Sequence, residues 1–194
     1  MEVAIVDYGA GNVQSVQFAL DRLGVQKYTL TQDPDQIRKA DKVIFPGQGA
    51  AAAALEKLDQ LELTEVLKGL TQPILGICLG MQLFCSFSEE GNTPGLGVFP
   101  MKVQRFPQRV KQPQMGWNTI GKLDSPLFKD IPENAYMYLV HSYYVALAAE
   151  TVATATYGLE YSVAIQNDNF FGVQFHPEKS GPQGQQILSN FLNL

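Results

Sequence analysis

The sequence predicts an α/β fold in which a mostly parallel central sheet is flanked by helices and gains antiparallel strands in the C-terminal half. The first half of the chain alternates short apolar runs with helix-compatible segments, as in a parallel sheet covered on both faces. The second half carries closely spaced strand signals, which indicate antiparallel hairpins. A chain of 194 residues can bury a full core, so we predict a single domain over residues 1–194.

The elements of the first half follow from these patterns in order. We predict parallel strands at 3–6, 27–30, 42–45 and 74–77. Asn12 can cap a first helix, whose apolar residues fall on one face and which Gly24 ends. Asp33 and Pro34 open a second helix that runs through residue 39, and further helices are predicted at 50–58 and 61–70.

The second half is predicted to be mainly strands. They are expected at 97–98, 101–106, 135–139, 142–147, 152–157, 162–166 and 170–175, with a tight turn at 167–169. The segment 107–113 is predicted to be a loop. Pro182 opens a final amphipathic helix.

Composition excludes several classes of function. The net charge of −5 and isoelectric point near 5.0 argue against nucleic acid as the main partner. No apolar run approaches the roughly 18 residues of a membrane span, and no basic signal-peptide region opens the chain, so no membrane partner is expected. If Cys78 and Cys85 share one helix, they lie roughly 10 Å apart, too far for a disulfide. We therefore predict free thiols in a reducing cytoplasm, with Cys85 packed in the core.

The segment Gly76-Ile77-Cys78-Leu79-Gly80 has the form Gly-x-nucleophile-x-Gly between a strand and a helix. Such a turn holds the central side chain clear of the sheet. The helix that follows directs free N–H groups and its positive end toward the sulfur, which favours a thiolate. Cys78 is therefore a candidate nucleophile, although a buried structural cysteine fits the local pattern equally well.

The two histidines limit the search for a base. His176 ends a predicted strand and is followed by Pro177 and Glu178, whose carboxylate could orient the imidazole. Pro177 stiffens this pair, although a surface His near a surface Glu is the alternative. His141 has no acid near it in sequence, so a structural hydrogen bond or packing is expected for it.

A glycine-rich turn, Phe45-Pro46-Gly47-Gln48-Gly49, follows the third predicted strand. Its glycines would let backbone N–H groups face a pocket, as an oxyanion site requires. Phosphate binding is the alternative, but neither a Walker pattern nor Gly-x-Gly-x-x-Gly is present. No cofactor and no metal are predicted.

These motifs together resemble class I, or triad, glutamine amidotransferases. The resemblance rests on 76–82 (Gly-Ile-Cys-Leu-Gly-Met-Gln), 46–49 (Pro-Gly-Gln-Gly) and 176–178 (His-Pro-Glu), with His176 following Cys78 by 98 residues. Three more segments resemble the glutaminase subunits of imidazole glycerol phosphate synthase in histidine biosynthesis: 7–12, 115–118 and 141–144. The chain departs from the pattern at Gln48, where a small apolar residue is usual, and at Gln114, where a His often stands.

The resemblance implies a class I amidotransferase fold and a Cys-His-Glu triad of Cys78, His176 and Glu178 that hydrolyses glutamine to glutamate and ammonia. The oxyanion would lie between the N–H of Leu79 and an N–H of Gly47, Gln48 or Gly49. Gln82 and the backbone around Ser142 and Tyr143 are candidates for holding the glutamine α-groups, although an exposed helix glutamine is equally compatible with Gln82.

The resemblance also implies a partner, a (β/α)8-barrel cyclase subunit that receives the ammonia and forms imidazole glycerol phosphate and aminoimidazole carboxamide ribotide. Asn12, Trp117, Tyr136 and Tyr138 are candidates for the docking face, although Trp117 could equally be a core residue. Three alternatives remain open. They are another class I amidotransferase (pyridoxal phosphate, anthranilate or purine synthesis), an α/β-hydrolase-type cysteine hydrolase, in which the acid would precede the His, and a non-catalytic sensor or binding module built on Cys78.

Overall fold

The computed structural model describes residues 1–9 and 11–194 and confirms the predicted α/β architecture. Ala10, part of the predicted 7–12 motif, lies outside the described residues. The helices are α1 (Val13–Arg22), α2 (Pro34–Lys39), α3 (Ala51–Gln60), α4 (Leu63–Lys68), α5 (Leu79–Phe84) and α6 (Gly181–Leu192). The strands are β1 (Val3–Val6), β2 (Tyr28–Thr31), β3 (Lys42–Gly47), β4 (Ile74–Cys78), β5 (Cys85–Ser88), β6 (Thr93–Pro94), β7 (Phe99–Arg105), β8 (Gln114–Ile120), β9 (Ala135–His141), β10 (Tyr143–Val145), β11 (Thr151–Thr156), β12 (Glu160–Asn167) and β13 (Phe170–Val173).

The main sheet has the strand order β2-β1-β3-β4-β13-β12-β10-β7-β5-β6, and β11 pairs with β12. Its first five strands in this order are mutually parallel. The strands β12, β10 and β7 then continue it in antiparallel fashion. A separate antiparallel ribbon is formed by β8 and β9. The carboxyl ends of β3, β4 and β13 consequently lie side by side, where open α/β sheets usually bind ligands.

The helices bury both faces of the parallel sheet. On one face, Leu20 of α1 and Phe191 of α6 pack with Ile5 and Ile77. On the other face, the apolar residues of α3 and α4 pack with Phe45 and neighbouring strand residues. α1 and α6 thus cover the sheet with the apolar faces that the sequence periodicity predicts.

Close packing of α5 against β3 and β4 explains the glycines around the predicted turn. A Cβ on Gly76 would lie 2.5 Å from Phe84 Cε2, and one on Gly47 would lie 2.5 Å from Gly80 N. A Cβ on Gly80 would overlap the carbonyl oxygen of Phe45. Because each position lacks room for a methyl group, the glycines let α5 lie directly on the strands.

The structure corrects several predicted elements. Residues 97–98 form no strand, because β7 begins at Phe99. The strands β5, β6 and β8 were not predicted, and β13 ends at Val173, before the predicted end at 175. Cys85 begins β5, so the assumption that it shares a helix with Cys78 is wrong. Both cysteines are nevertheless free and buried.

Across residues 1–9 and 11–194, no helix is both long enough and apolar enough to cross a bilayer.

Candidate active site

Cys78 occupies a sharp turn between β4 and α5. It is the last residue of the strand and caps the helix, with φ 55° and ψ −108°. A non-glycine residue in this region of backbone space costs about 1–3 kcal/mol, and such residues cluster at functional sites. The strain is maintained by the glycine-mediated packing of α5, so the fold itself holds the sulfur at the strand end.

Three parallel strands bring the other groups level with Cys78. Gly47 at the end of β3 pairs directly with Cys78. Val173 at the end of β13 pairs with Ile77, so the next residue, Gln174, lies beside Cys78. The glycine-rich turn and the His176 segment therefore flank the sulfur from opposite sides.

His176 and Glu178 form a buried pair. His176 Nδ1 lies 2.8 Å from Glu178 Oε1, and the two residues are 6% and 8% exposed. Because a carboxylate only accepts hydrogen bonds, Nδ1 carries the proton and Nε2 faces the other way. Ser180 Oγ donates to the carbonyl of His176 at 2.6 Å and accepts from the N–H of Tyr138 at 3.0 Å, which anchors this turn to β9.

His176 Nε2 is buried and makes no hydrogen bond to any described residue. Burial alone would lower the pKa of His176, but Cys78 and Glu178 outweigh it and raise the pKa to about 10. No hydrogen bond joins the Cys78 and His176 side chains, so the Cys78 contribution is that of a nearby negative charge.

A cavity of about 310 Å³ opens above these strand ends. Its lining includes the glycine-rich turn, the Cys78 turn, Gln82, the Ser142-Tyr143 segment and His176, together with neighbouring residues. The full set is Gly47, Gln48, Gly49, Cys78, Leu79, Gln82, Glu90, Pro113, Val140, His141, Ser142, Tyr143, His176 and Lys179. Glu178 lies behind His176. Across residues 1–9 and 11–194, no cluster of three or more His, Cys, Asp or Glu side chains could hold a metal ion.

Comparison with known proteins identifies the family. The family model described as "Glutamine amidotransferase class-I" matches residues 4–194. The chain belongs to the class I glutamine amidotransferase family.

Curated relatives of this amidotransferase match it along its whole length. The chain is 49% identical over 197 residues to the imidazole glycerol phosphate synthase subunit HisH of Bacteroides fragilis (strain YCH46), covering 100% of both chains. It is 47% identical over 194 residues to the subunit of the same name from Haemophilus influenzae (strain Rd), covering 99% of this chain and 97% of that one.

Solved structures share the fold. A structure described as a glutamine amidotransferase has a TM-score of 0.77 at 16% identity, covering 100% of this chain and 98% of that one. PurLQS from Thermotoga maritima has a TM-score of 0.73 at 18% identity, covering 99% and 97%.

The structure adds three residues to the site that sequence reasoning did not single out. Glu90 and Lys179 line the cavity, and Glu90 Oε2 accepts a hydrogen bond from the N–H of Ala51 at 2.9 Å. Gln174 lies fully buried beside Cys78. The position of Gln174 two residues before His176, on the same predicted strand, was the one available sequence signal.

The two departures from the family pattern lie in different surroundings. Gln48 is exposed at the cavity rim. Gln114 is buried, and its Oε1 accepts from the Tyr161 hydroxyl at 3.0 Å. Neither side chain contacts the His176–Glu178 pair through a hydrogen bond.

Three of the four candidate docking residues, Trp117, Tyr136 and Tyr138, lie on the β8–β9 ribbon. Trp117 is 56% exposed and Tyr136 is 61% exposed, so core packing is wrong for Trp117. The Trp117 ring lies 6.0 Å from that of Tyr138, which in turn lies 6.5 Å from that of His176. Asn12 lies elsewhere, as the N-cap of α1, where it accepts from the N–H of Ser15 at 3.3 Å.

His141 is held as a neutral structural imidazole. Its Nδ1 lies 2.7 Å from the carbonyl of Tyr143 and its Nε2 lies 3.3 Å from the Tyr161 hydroxyl. Burial lowers the pKa of His141 to about 4, the Tyr143 carbonyl opposes this, and His176 adds to the lowering. With both ring nitrogens engaged, His141 is poorly placed to act as a base.

We expect His141 to make the protein acid-sensitive. The unfolded chain binds a proton at this residue below about pH 6.5, whereas the folded chain binds it only near pH 4. Stability from this group is therefore full above pH 6.5 and falls by about 3 kcal/mol as the pH drops toward 4. Urea unfolding between pH 7 and 4 measures the loss. His141→Asn, which keeps a donor for the Tyr143 carbonyl, should remove this part of the slope, and an unchanged slope would contradict the assignment.

Proposed function

We propose that this chain is the glutaminase subunit of an imidazole glycerol phosphate synthase and supplies ammonia to a separate cyclase subunit. The full-length relatives that carry that subunit name support the proposal. The single observation that carries the chemistry is the strained Cys78 turn facing the buried His176–Glu178 pair across one cavity. The chain would work as one domain in the cytoplasm, for which its two free cysteines are suited.

Cys78 and His176 would carry the covalent steps. The sulfur attacks the side-chain amide carbon of glutamine while His176 holds the thiol proton. His176 then passes that proton to the departing nitrogen, so that ammonia leaves and a thioester remains. Water attacks the thioester with His176 as base, which releases glutamate and restores the thiol. Glu178 keeps the imidazole oriented and stabilises its charged form.

The tetrahedral intermediate needs donors at its oxygen. The N–H of Leu79, the first residue of α5, is one proposed donor, and an N–H of Gly47, Gln48 or Gly49 is the other. Both segments line the cavity on the Cys78 side. The Gly47–Cys78 strand pairing fixes the distance between them through the sheet.

Charged and polar groups around the cavity match the α-groups of glutamine. Gln82 and the Ser142-Tyr143 backbone line it, as do Glu90 and Lys179, which have opposite charges. A carboxylate suits the α-ammonium group and an ammonium suits the α-carboxylate, each through a charge-assisted hydrogen bond. The site thus complements a zwitterionic amino acid.

An exposed aromatic ribbon is the proposed docking surface for the (β/α)8-barrel cyclase. We define this ribbon surface as Met115, Trp117, Tyr136 and Tyr138. The first three of these are 67%, 56% and 61% exposed, and exposed aromatic clusters of this kind mark protein interfaces. Tyr138 connects the surface to His176, since the His176 N–H donates to the Tyr138 carbonyl at 2.9 Å. Docking at this surface would therefore act directly on β9, the strand whose backbone holds His176 in place.

A glutaminase assay with and without a candidate cyclase tests the proposal. We expect low activity from the chain alone and a marked increase with the cyclase and its nucleotide substrate bound. Trp117→Ala should weaken the complex by about 100-fold, the effect of a central interface aromatic. Leu147→Ala is the matched control, because Leu147 is 47% exposed outside the ribbon surface. Full activity in the isolated chain, or equal binding by both variants, would count against docking at this surface.

A further inference from the structure

Gln174 is a fully buried polar side chain that connects the candidate nucleophile Cys78 with Gln82, a residue of the cavity wall. Its Nε2 donates to Cys78 Sγ at 3.6 Å, and its Oε1 accepts from Gln82 Nε2 at 2.8 Å. Its exposure is 0%. The amide therefore has no access to solvent, and both of its ends contact groups of the proposed active site.

The contacts of the sulfur set the direction of this chain of amides. Cys78 Sγ lies 3.9 Å from the Val140 carbonyl, which only accepts, so the thiol proton points there and the sulfur accepts from the NH₂ end of Gln174. A thiolate would likewise only accept, so the same orientation serves both forms of the sulfur. The Gln174 carbonyl then faces Gln82, which must present its own NH₂ group. Reversing either amide would place two acceptors or two donors against each other, a costly arrangement in a buried site.

Gln82 is consequently left with a free acceptor. One of its N–H groups donates to Gln174 and the other to the Tyr143 carbonyl at 3.1 Å. An amide NH₂ has two donors, so both are used. Gln82 lines the cavity, and the group that it can offer to a ligand there is its carbonyl oxygen.

We propose that Gln174 is a positioning residue that stabilises the Cys78 thiolate and, through Gln82, makes the cavity select substrates with an α-ammonium group. This inference rests on the proposed glutaminase function. The carbonyl oxygen of Gln82 would accept a hydrogen bond from a protonated amine of the substrate. If the Gln82 amide were reversed, its NH₂ group would repel that amine. Nucleophile activation and substrate selection would then depend on one buried side chain.

Two variants separate the effect of Gln174 on the Cys78 thiolate from its effect on substrate selection. Gln174→Met has a similar length and removes both hydrogen bonds, whereas Gln174→Glu retains an acceptor for Gln82. The substrates are glutamine and glutaramate, which lacks the α-ammonium group. We expect the preference for glutamine over glutaramate in kcat/KM to fall about tenfold in Gln174→Met and to persist in Gln174→Glu, while kcat falls about tenfold or more in both.

Alkylation of Cys78 by iodoacetamide provides a readout that needs no turnover. Losing the Gln174 donor should slow alkylation at pH 7 about tenfold in Gln174→Met and move the pH profile of the rate upward. The titratable groups that sense the charge on Cys78 are His176 and Tyr8, and both are retained. Cys85 contributes little, because burial raises its pKa to about 12.

Asn190→Leu is the matched control for loss of a buried amide. Asn190 is 9% exposed and donates to the carbonyls of Leu127 and Lys129 at 2.8 and 2.7 Å. It should lower stability while leaving alkylation and substrate preference unchanged. If Gln174→Met does not fold, slower alkylation in Gln174→Glu remains the expected result.

The outcomes distinguish this inference from the proposed function. Absence of glutamine turnover in the wild-type chain with its cyclase would overturn the proposed function, while the alkylation profile would still decide the role of Gln174 toward the sulfur. Wild-type turnover combined with unchanged alkylation and unchanged substrate preference in the Gln174 variants would overturn the inference alone.

Discussion

Replacing Cys78 with alanine is expected to lower glutamine turnover of the cyclase-bound chain by about 10⁴-fold or more. The sulfur forms the proposed thioester, and loss of a nucleophile typically removes catalysis of this size. Alanine can occupy the same strained backbone (φ 55°) without new side-chain contacts. The fold should therefore survive, and circular dichroism with a glutaminase assay separates loss of chemistry from loss of structure.

Cys85→Ala is the control, because Cys85 is a buried thiol outside the cavity. It should retain turnover at a modest cost in stability. A glutamine-analogue electrophile should label Cys78 in the wild type and in Cys85→Ala, and label nothing in Cys78→Ala. Substantial turnover in Cys78→Ala, or labelling of Cys85, would refute the assignment and would revive the sensor alternative.

The parallel half of the fold was predictable because its signals are local. The strands β1, β3 and β4 are short apolar runs that are fully buried, and the capping residues Asn12 and Asp33 mark the helix starts. Such signals do not depend on what lies across the sheet. The boundaries therefore fall within a few residues of those predicted.

The missed strands depend on partners that the local sequence does not reveal. β5 exists because it pairs with β7 on one side and with β6 on the other, which makes Cys85 an extended residue. β8 carries Trp117 and Met115 on an exposed face, so it lacks the polar–apolar alternation of a half-buried strand. Because apolar residues of β8 lie on its exposed face, the sequence pattern did not reveal this strand.

The residues of the candidate site also differ in whether local sequence could predict them. Cys78, His176 and Glu178 could be named because turns and strand ends have recognisable motifs. Glu90 reaches the cavity only because β5 and β6 form a hairpin. Gln174 lies beside Cys78 only because of the register in which β13 pairs with β4. Residues placed by long-range pairing carry no motif of their own.

Replacing His176 with glutamine is expected to lower glutamine turnover by about 10⁴-fold, for two separable reasons. Burial would lower the pKa of His176, but Cys78 and Glu178 outweigh it and raise the pKa to about 10, which favours an imidazolium beside the sulfur at neutral pH. Glutamine is of similar size but has no titrating proton. The variant therefore loses both the cation that favours the thiolate and the acid that protonates the leaving nitrogen.

Raising the pH separates the loss of the cation beside the sulfur from the loss of the acid that protonates ammonia. Iodoacetamide needs only a thiolate, so alkylation of Cys78 in His176→Gln should be slow at pH 7 and faster at pH 9. Glutamine hydrolysis also needs a proton for departing ammonia, so it should stay low at both pH values. If high pH restored turnover together with alkylation, His176 would act on the sulfur alone and ammonia would take its proton from water. If neither rate changed from the wild type, His176 would have no role in the chemistry.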